Sequence, residues 1–217
     1  MFTLIKPYFE IIEPTPLPTA IELYTKIEQI GRVCYKSEDK ITPETAVPFV
    51  QNLIKRGHES VLEHFVFTVK FVVNRGFTHE LVRHRIAAYS QESTRYCNYG
   101  KKGLTFIIPP WLDIPEGEYQ SINYKWPGDA VIWAEALESA STAYNFLLQV
   151  WTPQQARDVL PTALKAEIIT TMNIRQWRHV LNERTAPSVH PQMDEIMKPL
   201  LNQFKHLYPV LFDDVGE

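Results

Sequence analysis

Three arginines, a histidine and a serine fall within the short run Arg83-His84-Arg85-Ile86-Ala87-Ala88-Tyr89-Ser90-Gln91-Glu92-Ser93-Thr94-Arg95-Tyr96. A guanidinium is a permanent planar cation that pairs two oxygens of a phosphate or carboxylate at once, and nearby hydroxyls and backbone N–H groups add donors. If Ser93-Thr94-Arg95 is extended, side chains two apart share a face, so the Ser93 hydroxyl and the Arg95 guanidinium point to one place. That place has the character of an oxyanion site, and phosphate is its natural ligand. The plainer reading of the same residues is solvated surface charge, with Arg83 and Arg85 paired to Glu80 and Glu92.

The elements on either side must carry this run. Residues 3–12 mix apolar and β-branched types and are expected as a strand, followed by a stiff connector of Pro14, Pro16 and Pro18. Ile21, Tyr24, Ile27, Ile30 and Cys34 recur at helical spacing, as do Ala46, Val50, Leu53 and Ile54 between Thr42-Pro43 and Gly57, with Pro48 able to delay that second helix. Phe65, Phe67, Val69, Phe71 and Val73 alternate along a strand with an aromatic core face. Asn74-Arg75-Gly76 ends it, and a short helix through Phe77, Leu81 and Val82 carries Glu80 and Arg83 into the arginine-rich run. After a strand at Thr105-Phe106-Ile107-Ile108, residues 111–128 hold prolines, glycines and aromatics and read as an ordered excursion. A helix is expected from about Asp129 to Trp151, then a short proline-bounded helix displaying Arg157, then a strand from Lys165 to Asn173. On the helix that follows, Arg175, His179 and Asn182 form one polar face while Trp177, Val180 and Leu181 pack inward.

The 217 residues are 45% hydrophobic and 22% charged, which suits one globular domain over 1–217, and the net charge of −3 argues against bulk nucleic-acid binding. Every arginine lies between Arg32 and Arg184 while lysines reach both ends, compatible with a central anion pocket. No charged-then-apolar leader or long apolar span is present, so a cytoplasmic protein with no membrane role is expected. Cys34 and Cys97 are too few for a disulfide framework, and Cys97 reads as a small hydrophobe before it reads as a nucleophile. The segment Gly57-His58-Glu59-Ser60-Val61-Leu62-Glu63-His64 invites a metal reading, but no His-Glu-x-x-His partner occurs and the His58 to His64 spacing fits no common ligand pattern; no metal is expected.

The spacing Arg-His-Arg, seven residues, Ser, one residue, Arg and Tyr resembles the signature of the flavin-dependent thymidylate synthases, with Ala88 and Ser90 where that family commonly has serine and asparagine. Further blocks are similar to the same family: Arg32-Val33-Cys34-Tyr35, Gly57-His58-Glu59-Ser60 with Glu63-His64, Ala156-Arg157 with Leu160-Pro161, Asn173-Ile174-Arg175, Leu181-Asn182-Glu183-Arg184 and His190-Pro191-Gln192. The resemblance spans roughly residues 31–195. It implies an α+β fold, a largely antiparallel sheet flanked by helices, and reductive methylation of dUMP to dTMP with methylenetetrahydrofolate as carbon donor and NADPH-reduced FAD as hydride source. It implies that His58, Ser60, Glu63, Arg83, His84, Arg85, Ile86, Gln91, Asn173, Arg175 and His179 hold flavin, His179 standing where asparagine is usual. Glu80, Arg83, Gln91, Ser93, Thr94, Arg95, Arg157 and Arg184 would meet the nucleotide, with Arg184 also the catalytic group that stabilises charge on the pyrimidine. Glu80 stands where a polar residue, often glutamine, is usual, and must be protonated, turned aside or paired beside a phosphate. No glycine-rich Rossmann fingerprint is present, so arginines and helix ends must hold the flavin. The resemblance also implies a homotetramer with sites at subunit junctions. Two other classes fit parts of the pattern: a metal phosphohydrolase using His58, His64, His79 and His84, and a non-catalytic nucleotide-binding module.

Overall fold

Proline has no N–H to donate to a ladder, and at Pro7 the strand expected over residues 3–12 divides into β1 (Phe2–Ile5) and β2 (Tyr8–Glu13) in the computed structural model, which describes residues 1–120 and 125–216. The proline connector leads to α1 (Ala20–Val33), whose start is a capping box: the Thr19 hydroxyl accepts from the Glu22 N–H and the Glu22 carboxylate accepts from the Thr19 N–H. Its buried side carries Leu23, Tyr24, Ile27 and Gly31, while Ile21 and Cys34 are exposed, so the packed stripe is narrower than the periodicity predicts. Glu28 is also fully buried on this face, held by Arg32 (2.6 Å) and the Thr45 hydroxyl (3.0 Å). That bond occupies Thr45, the residue before α2 (Ala46–Lys55), which starts later than Thr42-Pro43 suggests.

A 3-10 turn over Glu59–His64 precedes β3 (Val66–Asn74), in which Phe67, Val69, Phe71 and Val73 are buried as their alternation predicts. The Asn74 side chain accepts from the Phe77 N–H at 2.8 Å and so caps α3 (Arg75–Leu81). Next come β4 (Ala88–Gln91), the single turn α4 (Tyr99–Lys102), β5 (Leu104–Ile107), β6 (Gly117–Tyr119) and α5 (Gly128–Leu147). β6 lies within the expected excursion at 111–128, of which residues 121–124 lie outside the described residues. A second capping box at Thr152 and Gln155 starts α6 (Pro153–Ala156). Then follow β7 (Lys165–Asn173), α7 (Ile174–Arg184), α8 (Pro191–Leu207) and α9 (Pro209–Phe212). The fold is α+β, with two mostly antiparallel sheets flanked by helices. In one, β1 pairs in parallel with β5 and antiparallel with β6; the other has the order β2-β3-β7-β4.

The chain divides into two compact units. The first comprises residues 1–9, 70–83 and 89–169, and its core gathers Phe2, Leu4 and Phe106 from the three-stranded sheet with Leu137 and Tyr144 from α5. The second comprises residues 10–69, 84–88 and 170–217. There Trp177 is fully buried and donates its indole N–H to the Phe67 carbonyl at 3.0 Å, and Phe204 of α8 packs between Phe67 (5.2 Å between ring centres) and Phe212 (4.8 Å, stacked). That core fixes which face of α7 points outward. No described helix is long and apolar enough to cross a membrane.

Candidate active site

In the first unit the arginine-rich run ends in a tight turn. After β4, the Glu92 N–H donates to the Glu167 carbonyl at 2.8 Å, and the Ser93 carbonyl then accepts the N–H groups of Tyr96 (3.2 Å) and Cys97 (2.9 Å). Ser93-Thr94-Arg95 is therefore not extended, because one carbonyl taking two amides curls the chain back on itself. The turn buries the Thr94 side chain, sends Arg95 outward over the Tyr96 ring (5.4 Å to its centre) and leaves the Arg95 N–H beside the Ser93 hydroxyl (3.3 Å). Arg157, on the 3-10 turn that follows α6, donates to the Thr94 hydroxyl at 3.1 Å. Residues more than sixty positions apart thus meet at this turn, where the Arg157 guanidinium and the Ser93 and Thr94 hydroxyls are groups that suit phosphate, while the Arg95 guanidinium lies outward over Tyr96.

Gln91 donates from its side-chain amide to the buried Thr78 hydroxyl (3.0 Å), and the Tyr89 hydroxyl donates to the Leu81 carbonyl (2.8 Å), pinning β4 to α3. Glu80 is half-buried on α3 and Arg83 is exposed just beyond it. Glu92 pairs with Lys165 (2.9 Å) rather than with an arginine of the run. A cavity of about 570 Å³ beside it is lined by Gln91, Cys97, Lys70, Lys165 and Glu167. Hydrogen bonds from Lys165 and Lys70 pull the Glu167 carboxyl down to about 2 against the cost of burial.

The second unit holds the larger cavity, about 720 Å³. The Asn173 side chain caps α7 by accepting from the Gln176 N–H (2.8 Å). The helix then turns Arg175, His179 and Asn182 toward the cavity, the polar face that their spacing predicts. Glu63 and Ile86, from two other sequence blocks, join the wall, and Glu63 pairs with Arg175 at 2.6 Å. His58 and Ser60 line an adjoining cavity of about 390 Å³, where the Tyr35 hydroxyl lies 3.4 Å from His58 Nδ1. His84 is buried with its ring edge-on to that of His179 (6.1 Å between centres), while Arg83 and Arg85 on either side of it are exposed. Arg184 Nε donates to His84 Nε2 at 2.8 Å, so that nitrogen carries no proton in this arrangement.

Part of this wall comes from residues outside the set expected from the motifs. Glu59, Gln176, Arg178, Asp214 and Val215 also line the cavity. Arg178 donates two parallel bonds to Asp214 (2.8 Å each), one to Glu59 (3.2 Å) and one to the Leu211 carbonyl. Burial opposes its charge, but Asp214 and Glu59 outweigh that and hold its pKa above the ordinary value; the same bonds hold the Asp214 carboxyl below its own. Among the described residues His84, His179 and Glu183 could together hold a metal ion, their ligand atoms lying within 4.8 Å of one another. The Arg184 guanidinium already occupies one of those nitrogens and would repel a cation.

The cavity's donor set suits a flavin nucleotide. Carboxylates and amides accept from sugar hydroxyls and ring N–H groups, and arginine meets phosphate. Its volume is also that of ordinary cofactor pockets. The buried Nε of Arg178 has no hydrogen-bond partner, a donor left over inside the wall.

The model of the family described as thymidylate synthase complementing protein matches residues 21–210. The flavin-dependent thymidylate synthase of Geobacter sulfurreducens is 29% identical to this chain, covering 95% of it and 85% of its own length. That of Corynebacterium efficiens is 32% identical, and that of Mycobacteroides abscessus 31%; each alignment covers 87% of this chain and 78% of the relative. The convergence of the Asn173–Arg175 block, Glu63 and Ile86 on one cavity, and of Arg157 on Thr94, agrees with that match over most of the chain, and the chain belongs to the thymidylate synthase complementing protein family.

Proposed function

We propose that this chain is a flavin-dependent thymidylate synthase that methylates dUMP to dTMP, taking its carbon from methylenetetrahydrofolate and using FAD reduced by NADPH. The observation that carries the reading is the large cavity, where the cap residue Asn173 and Arg175 and His179 on the α7 face meet Glu63 and Ile86 from separate motif blocks. Bound flavin supplies the hydride that completes the methyl group. Asn173, Arg175, His179 and Glu63 bind its polar groups, Ile86 covers apolar surface, and His58 and Ser60 line the adjoining space. Ser93, Thr94, Arg95 and Arg157 bind the nucleotide phosphate, and Gln91, Glu80 and Arg83 meet the rest of the nucleotide. Arg184 stabilises negative charge on the pyrimidine as its C5 becomes nucleophilic. The working form is a cytoplasmic homotetramer in which each chain acts as one catalytic domain, with no nucleic acid or membrane as partner.

Titration of the apoprotein with FAD, followed by the flavin's absorbance and fluorescence, tests the reading. Saturable binding with one flavin per chain is expected; no binding in any oligomeric state ends it. The phosphate patch has its own test. Arg157→Ala and Arg95→Ala should each weaken dUMP binding by tenfold or more in calorimetry, since a charge-assisted hydrogen bond contributes about 1.5–3 kcal/mol, while FAD affinity holds. Unchanged dUMP affinity in both variants would move the phosphate elsewhere.

A further inference from the structure

The large cavity of the second unit is one end of a longer groove. The adjoining cavity shares Glu59 and Arg175 with it, and in turn shares Tyr35, Leu53 and His58 with a third, of about 380 Å³. The third differs in character from the first. Phe49 and Tyr35 give it aromatic walls, no carboxylate lines it, and its polar groups come from Arg32, Ser37, Thr45, Asn52, Arg56 and His58, the Thr45 hydroxyl being already committed to Glu28. Arg32 is already neutralised by the buried Glu28 and stacks 4.9 Å from the centre of the Phe49 ring, which makes it part of the wall. Arg56 is exposed at the end of α2 and pairs with no described carboxylate. The groove therefore passes from the flavin cavity through the His58–Tyr35 contact to an aromatic channel with one uncompensated cation.

We propose that this third arm binds the p-aminobenzoyl and glutamyl part of the folate substrate, with Arg56 reading the carboxylates of its γ-linked glutamate chain. The inference rests on the proposed function for the identity of the substrate and adds where its tail runs. A flat ring followed by a flexible polyanion matches aromatic walls followed by a guanidinium. The other anion to be considered is the phosphate of NADPH. A phosphate dianion calls for several donors at one point, whereas carboxylates spaced along a chain can each visit a single arginine.

The test uses full-length protein loaded with FAD and dUMP, and measures binding of pteroylmonoglutamate and pteroyltriglutamate at low and high salt. Wild type is expected to prefer the triglutamate by about tenfold at low salt, and salt should shrink that preference because an exposed cation is screened. Arg56→Ala should abolish the preference and Arg56→Lys should keep most of it, with FAD affinity at the wild-type level in both. Equal affinity of wild type for the two ligands, or an undiminished preference in Arg56→Ala, overturns the proposal. So does an Arg56→Ala effect that falls on the rate at which NADPH reduces the flavin and leaves the pteroyl ligands alone. Failure of the wild-type protein to bind FAD would strike the functional reading instead, and the same pteroyl series run on flavin-free protein then reads the third arm by itself.

Discussion

Arg178→Met should lower the melting temperature of the flavin-free protein by about 6–12 °C, the largest loss of stability expected from any single arginine here. The side chain is nearly buried and satisfies three groups at once: Asp214 through two bonds, Glu59 through one, and the Leu211 carbonyl. Methionine replaces the apolar stem and leaves two carboxylates facing each other without a counter-ion. Breaking a wholly buried pair in this way costs about 3–5 kcal/mol, but Asp214 is half exposed and water can recover part of its solvation. About 3 kcal/mol is therefore a fair expectation, and in a chain of this length each kcal/mol moves the midpoint by about 2–4 °C. Because Asp214, Val215 and Glu59 also line the large cavity, FAD affinity should fall in the same variant. A melting temperature within about 2 °C of wild type would show that the network contributes nothing net, as many ion pairs do.

The same network has a pH signature with a definite sign. The Asp214 carboxyl is held below its ordinary value by the Arg178 hydrogen bonds, so the folded state favours its charged form. Its contribution to stability is fully present above the unfolded pKa of about 3.9 and is lost as pH falls through the lower folded value. Wild type and Asp214→Asn should accordingly differ in melting temperature at neutral pH and converge on acidification.

What could be read in the sequence, and what could not, follows the range of the forces involved. β3 and β7 were legible because alternation is a local property: Phe67, Val69, Phe71 and Val73 all bury as their spacing predicts, and the expected strand from Lys165 to Asn173 has the observed ends. The polar face of α7 was equally legible, since Trp177, Val180 and Leu181 leave Arg175, His179 and Asn182 no inward position. The turn at Ser93-Thr94-Arg95 was not. It depends on Glu167 ending the β4 pairing at Glu92, and Glu167 stands seventy-five residues further along the chain. In the sequence Arg178 is one arginine among several in the α7 segment, because its partners are at Glu59, Leu211 and Asp214 and nothing near Asp214 carries a motif. Chemistry-bearing blocks could be recognised one by one, whereas the tertiary partners that orient them lie outside any local pattern.

Arg184→Lys should slow single-turnover methylation at least tenfold under saturating substrates, a loss of about 1.4 kcal/mol in transition-state stabilisation, while FAD uptake persists. The reason lies in what the guanidinium does at two places. Its Nε bonds His84 Nε2 at 2.8 Å, and His84 is itself buried edge-on to His179 of the large cavity, so the plane of the arginine fork is set before substrate arrives. A fork held in that way can face charge on adjacent pyrimidine atoms without reorganising as C5 becomes nucleophilic, and such preorganisation acts on the transition state more than on the bound ground state. Lysine keeps the charge but is a point donor on a flexible stem, unable to bond His84 and present a planar pair at the same time. Its effect should therefore fall on the chemical step, with dUMP affinity changed less than the rate. The competing account makes the Arg184–His84 bond purely structural, joining the end of α7 to the arginine-rich run. Under that account the lysine variant melts earlier or assembles poorly, and whatever remains folded turns over at the normal rate. Melting temperature, oligomer size and single-turnover rate measured on one preparation separate the two, and a normal rate in fully assembled, flavin-loaded enzyme would remove Arg184 from the chemistry.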